Sequence, residues 1–232
     1  EAFKAAILTP KADKDQEEVV RPKVKVEGPV MFNAVVRACI TRVEPALNKI
    51  LNVEKGNKSV NRLQKSKKWS AVNKTLKTYT LDVVSLMSVV TESSVLCVIL
   101  KHVHALVPYF AALPKSSKHL LARLIKLWSA GDEEGVRILS FLCLVKLTRA
   151  AQSTLYEPVF KQMYMAYVKN SKFTSPSTWP LINFMRRSLA ELMGLDKKAA
   201  YNHAFVYVRQ LSISLRNALT TQKKEATQAV YN

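Results

Sequence analysis

From Phe32 onward apolar residues form stripes spaced three or four positions apart, which predicts helices rather than strands. Phe32, Val36, Cys39, Val43, Leu47 and Ile50 lay one stripe along a first long helix. Pro29 suits its first turn, and Pro45 is expected to kink or break it. Leu76, Tyr79, Val83, Leu86 and Val90 mark a second helix, closed by a turn at Thr91 to Ser94. Six further helical stretches follow: Val95 to Leu113, Ser116 to Ser129, Glu133 to Thr148, Thr154 to Asn170, Ser177 to Met193 and Lys197 to Leu219. The breaks between them fall at Leu113-Pro114, Gly131-Asp132, Ala151 to Ser153, Thr174 to Pro176 and Gly194 to Asp196, with Ser153, Ser175 and Asp196 as candidate helix caps. The first 28 residues, interrupted by Pro10 and Pro22, hold no period beyond a short helix over Glu1 to Leu8 and read as an arm.

Helices of roughly 15 to 20 residues joined by brief turns fit a unit of about 40 residues, the size of armadillo or HEAT repeats. One such helix pair cannot cover its own apolar face, so successive pairs stack and leave a ridged surface for partners. The expected fold is therefore all-α, a HEAT/armadillo-like helical-repeat array (α-solenoid) over residues 29–232 with an extended N-terminal arm over residues 1–28 and a basic linker at about 53–68. A compact irregular helical bundle is the alternative, because periodicity shows helices and turns but not their stacking order.

Composition changes this picture in two respects. Glycine is scarce, 5 of 232 residues, which favours helices over tight turns. Lys and Arg number 36 against 17 Asp and Glu, a net charge of +19 that favours polyanionic partners such as nucleic acid or an acidic protein surface. The excess belongs to the whole body, +9 in residues 1–80 and +10 in residues 81–232. Its densest run lies between Lys55 and Lys77, where eight basic residues stand without an acidic one, Lys65, Lys67 and Lys68 directly before Trp69. That run reads equally as a phosphate-binding segment and as a solvated linker.

Little points to catalysis. Cys39, Cys97 and Cys143 are far apart within apolar stretches and read as reduced core residues. His102 and His104 point some 200° apart on a helix and do not converge on one metal ion. No glycine-rich phosphate loop or nucleophile elbow is present, so the chain reads as a non-enzyme with no cofactor, no metal and no small-molecule substrate. The most apolar stretch, Val83 to Leu113, is broken by Glu92, Lys101, His102, His104 and Pro108 and does not read as a membrane span. Phe141, Tyr164, Phe184, Phe205 and Tyr207 lie on apolar stripes and are expected in the core, whereas Trp69 and Trp179 flank loops as partner anchors or as lids. The ends of the chain carry no terminal character, which suggests a piece of a longer protein.

The strings Pro158 to Pro176, Pro180 to Met185, Tyr201 to Ala218, Thr220 to Glu225 and Val230 to Asn232 closely resemble the nucleolar complex protein 2 family. Lys25 to Gly28, Phe32-Asn33, His102 to Phe110 and Pro114-Lys115 extend the resemblance upstream, and it weakens across Lys55 to Lys68. The resemblance implies a non-catalytic assembly factor for the large (60S) ribosomal subunit in nucleolus and nucleoplasm. It implies pairing with nucleolar complex protein 1 and nucleolar complex protein 3 relatives, alongside pre-60S particle proteins and precursor rRNA. A chromatin-associated repressor that binds histones is the second function the resemblance allows. Within that frame the residues expected on RNA are Lys65, Lys67, Lys68, Arg186, Arg187, Lys223 and Lys224, and those expected on a protein partner are Trp69, Phe173 and Trp179. Arg209 and Arg216, seven residues apart on one helix face, are equally suited to pairing with helix ends. Lys172 to Pro176 is a further partner or RNA candidate by resemblance, against a reading as a structural turn set by Pro176.

Overall fold

With few glycines and apolar stripes at helical spacing, the chain folds into helices, and no strand occurs among the described residues. A computed structural model describes the backbone of residues 2–8, 28–52 and 60–231, and the side chains of these except 6–8, 61 and 222–231. The helices are α1 (Ala2–Leu8), α2 (Pro29–Ile50), α3 (Val60–Lys65), α4 (Trp69–Val89), α5 (Ser93–Ala111), α6 (Pro114–Ala130), α7 (Glu134–Ala150), α8 (Gln152–Asn170), α9 (Trp179–Met193) and α10 (Lys197–Tyr231). They divide into two units, residues 1–186 and 187–232.

In the first unit each helix from α4 to α6 packs on its next-but-one neighbour, α4 on α6, α5 on α7 and α6 on α8, as well as on its successor. The core centres on α5, of which ten residues are buried, Leu100, Val103, Leu106, Val107, Tyr109 and Phe110 completely. Its 19 residues are long and apolar enough to cross a membrane by length and composition, contrary to the sequence reading. Here they meet α7, α6, α2, α3 and α4 instead. Trp128 of α6, Leu144 of α7 and Phe160 of α8 complete that core.

Several polar groups inside this unit are paired, while Trp128 Nε1 and Ser140 Oγ are buried without a hydrogen-bond partner among the described residues. Tyr79 Oη lies 2.9 Å from His102 Nε2, and Tyr109 donates to Asn48 Oδ1 at 2.6 Å, which binds α5 to α4 and α2. Asn48 in turn donates to Glu44 at 2.5 Å. Burial pushes His102 down to about 4, although the Glu44 carboxylate and a backbone hydrogen bond with Ile40 act in the opposite direction. His102 is thus a neutral core histidine, and among the described residues no cluster of three His, Cys, Asp or Glu is placed to hold a metal. Burial likewise pushes the Cys143 thiol up to about 12, and all three cysteines are free. Arg123 donates through Nε (3.1 Å) and Nη2 to the carbonyl of Met87 in the last turn of α4, where a cation complements the helix end.

Several turns follow their sequence signals. Asn52 ends α2 in the left-handed region (φ 51°), a conformation asparagine tolerates. Gly131 closes α6 where a Cβ would stand 2.5 Å from the Leu127 carbonyl, so only glycine fits. Asp196 accepts from the Ala199 amide at 3.0 Å and caps α10. Ser153 does not cap α8: the chain reverses at Ala151 alone, which leaves Ser153 inside the first turn of α8. Nor does Pro45 break α2, which runs unbroken from Pro29 to Ile50. Pro45 and Thr41 are exposed, so the carbonyl that proline leaves without a donor belongs to a solvated turn.

The N-terminal segment departs in part from an extended arm. Ala2–Leu8 is helical and packs on α2 and α4 with Phe3 and Ala5 buried, while residues 9–27 lie outside the described residues.

Candidate nucleic-acid interface

The basic run between Lys55 and Lys77 is not a plain linker. Residues 53–59 lie outside the described residues, but Val60–Lys65 forms α3, which buries Leu63 against the unit. Gln64 Nε2 donates to the Ala112 carbonyl at 3.1 Å and fixes α3 to the end of α5. A tight turn follows, with the Ser66 amide bonded to Leu63 and the Trp69 amide to Ser66. Lys65, Lys67 and Lys68 are gathered on this turn and are exposed, and Trp69 stands half-buried at the start of α4.

The exposed set extends beyond the residues chosen from the sequence. Arg62, Lys74 and Lys77 are exposed on either side of the turn. Thr80 and Ser116 share a buried 2.8 Å hydrogen bond, which draws the start of α6, with exposed Lys115 and Lys118, alongside the basic segment. Lys115, Lys118 and Lys126 occupy one polar face of α6, a signal present in their spacing of three and eight residues. With no acidic residue between Lys55 and Lys77, this surface can neutralise several backbone phosphates.

The other residues singled out from the sequence are dispersed. Arg186 and Arg187 are adjacent and exposed on α9. The side chains of Lys223 and Lys224, near the end of α10, lie outside the described residues. Phe173 (85% exposed) and Trp179 (55% exposed) flank the turn between α8 and α9. That turn has its own structural explanation: the Thr178 amide donates to Ser175 Oγ at 3.2 Å and the Ser175 amide to Thr178 Oγ1 at 2.9 Å, a reciprocal capping box. Lys172 to Pro176 therefore has the geometry of a turn, and it presents Phe173 to solvent.

The core expectation for the aromatic residues is corrected at Phe205, which is 60% exposed, while Phe141, Tyr164, Phe184 and Tyr207 are half-buried. Stripe position alone does not bury a ring; a neighbouring element must cover it.

These features describe a basic, all-helical protein with exposed lysines gathered on the α3–α4 turn and exposed apolar side chains elsewhere on its described surface. Residues 154–232 match the Noc2p family. Similarity also spans almost the whole chain: it is 44% identical to Nucleolar complex protein 2 of Drosophila melanogaster over 98% of the chain, which covers 29% of that relative. It is 31% identical to Nucleolar complex protein 2 homolog of Caenorhabditis elegans over 93% of the chain and 30% of the relative. Nucleolar complex-associated protein 2 of Arabidopsis thaliana is 29% identical over 90% of the chain and 28% of the relative. The chain is thus similar to Noc2p family proteins, and it spans about three tenths of the length of these curated relatives. None of these names denotes an enzyme.

Proposed function

We propose that this chain is the helical scaffold of a nucleolar assembly factor for the large (60S) ribosomal subunit, non-catalytic, holding precursor rRNA on its basic surface and partner proteins on its apolar ones. Its similarity to Nucleolar complex protein 2 across 98% of the chain carries this reading, and the names of the relatives support a nucleolar location. Nucleoplasmic pre-ribosomes are the second location proposed. The partners proposed are nucleolar complex protein 1 and 3 relatives and pre-60S proteins.

The exposed lysines on the α3–α4 turn support contact with the phosphate backbone without sequence readout. The recurring packing of α4 on α6, α5 on α7 and α6 on α8 supports a HEAT/armadillo-like stacking of helix pairs in the first unit. Exposed apolar side chains, among them Val30, Met31, Met165, Phe173 and Trp179, suit a protein built to be covered by others.

The test is affinity purification of the tagged protein with and without ribonuclease, with mass spectrometry of what co-purifies. Recovery of large-subunit precursors and nucleolar partners is the expected outcome, with part of the precursor signal lost after ribonuclease. Histones retained after ribonuclease, without pre-ribosomal proteins, would replace this reading with chromatin binding.

A further inference from the structure

The exposed stripe of α10 has a period of its own. Tyr201, Phe205, Val208, Ser212, Leu215 and Leu219 follow one another at alternating intervals of four and three residues. That is the spacing of the a and d positions of a heptad, the seam along which one helix packs lengthwise on another. Phe205, Ser212 and Leu219 take the a positions, and Tyr201, Val208 and Leu215 the d positions. Every member is exposed, Phe205, Val208 and Leu215 by 60% or more.

Two observations show what the seam accepts. Ser212, Leu215, Arg216 and Leu219, at i, i+3, i+4 and i+7, line with Thr220 a concavity of about 370 Å³. Four residues in that arrangement form the hole that receives one side chain of a facing helix, and the small Ser212 deepens it. The flank is the second observation. Arg209, Arg216 and Lys223 occupy successive e positions, and no acidic residue occurs between Lys197 and Lys224.

A second copy of the chain fits this edge poorly. Antiparallel pairing would oppose Arg209 and Arg216 to the same arginines, and parallel pairing would set them against Leu211 and Ala218, the g positions, without an ion pair. A net charge of +19 adds general repulsion between copies. We infer that α10 docks an amphipathic helix of a partner protein, one with an aliphatic seam and Asp or Glu along the edge that meets Arg209 and Arg216. This stands on α10 alone and holds independently of the nucleolar reading.

The experiment uses the full chain and two designed four-heptad probe helices with the same Leu/Ile seam, one with Glu at every e and g position and one with Lys; either charge set keeps a probe from pairing with itself. The expected result is binding of the acidic probe about tenfold or more tighter than the basic one. Leu215→Asn with Leu219→Asn should abolish that binding while helicity by circular dichroism stays unchanged, and Arg209→Glu with Arg216→Glu should reverse the preference between probes. No binding of either probe, equal binding of both, or binding indifferent to the leucine substitutions overturns the inference. So does self-association of the wild-type chain in sedimentation that the leucine substitutions remove.

Discussion

Helices α5 and α10 both carry apolar residues at helical spacing, and they use them in opposite ways. Ten residues of α5 are buried, against α7 and α6 above all, whereas Phe205, Val208, Leu215 and Leu219 of α10 remain more than half exposed. Their edges differ too. α5 has a single charged residue in its length, Lys101, while the seam of α10 is bordered by Arg209 and Arg216. An apolar stripe says that a helix has a face to cover; the charge along its edge says whether the cover is the protein's own core or another surface.

The largest effect that would break this comparison is on stability. Leu106→Ala, in the completely buried part of α5, should cost about 3 kcal/mol in urea unfolding, from lost transfer energy and an unfilled cavity. Leu215→Ala on α10 should stay within about 0.5 kcal/mol. Equal costs would make α10 a core helix and remove the contrast.

A second effect sharpens the account of the core. His102 is held to about 4 in the fold, below the ordinary histidine value near 6.5, so the unfolded chain takes up the proton first as pH falls. The contribution of His102 is fully present above about pH 6.5 and is lost as pH falls to about 4, on the order of 3 kcal/mol. His102→Gln should flatten the pH dependence of unfolding in that window. A slope unchanged by the substitution would place the titrating group elsewhere.

Smaller effects belong to the helix starts. Ser175→Ala and Asp196→Ala should each cost about 1 kcal/mol, since the first removes the side-chain acceptor of the Thr178 amide directly ahead of α9 and the second that of the Ala199 amide in the first turn of α10. Ser153→Ala, which caps nothing, should cost less than about 0.5 kcal/mol in the same unfolding assay.

Those caps show what was legible in the sequence. Ser175 and Asp196 could be recognised because a polar residue at a break before an apolar run has one effective use, and Pro29 at the start of α2 because its missing amide is harmless there. Ala151 was illegible as a one-residue turn, since alanine carries no turn signal. Helix α3 was hidden for a related reason: a six-residue helix with Leu63 as its buried anchor is too short for a period, and its cations read as linker. Lys65, Lys67 and Lys68 stood out by density, but the help of α6 rests on the Thr80–Ser116 and Gln64–Ala112 contacts, between residues 36 and 48 positions apart. The exposure of Phe205 was beyond periodicity altogether, because a core stripe and a docking stripe share the same spacing to within a tenth of a residue per turn.

The central claim is that the two surfaces divide the binding, the basic turn taking polyanion and the α10 seam taking protein. It is tested most directly by titrating single-stranded RNA against the chain at a series of salt concentrations. Wild-type affinity should fall steeply with salt. Lys65→Glu with Lys67→Glu and Lys68→Glu should weaken binding and lower the log–log slope by about 2, the share of three phosphate contacts, with helicity intact, while Leu215→Asn with Leu219→Asn should leave the slope as it was. An unchanged slope in the lysine variant, or an equal loss in the leucine variant, would contradict the account.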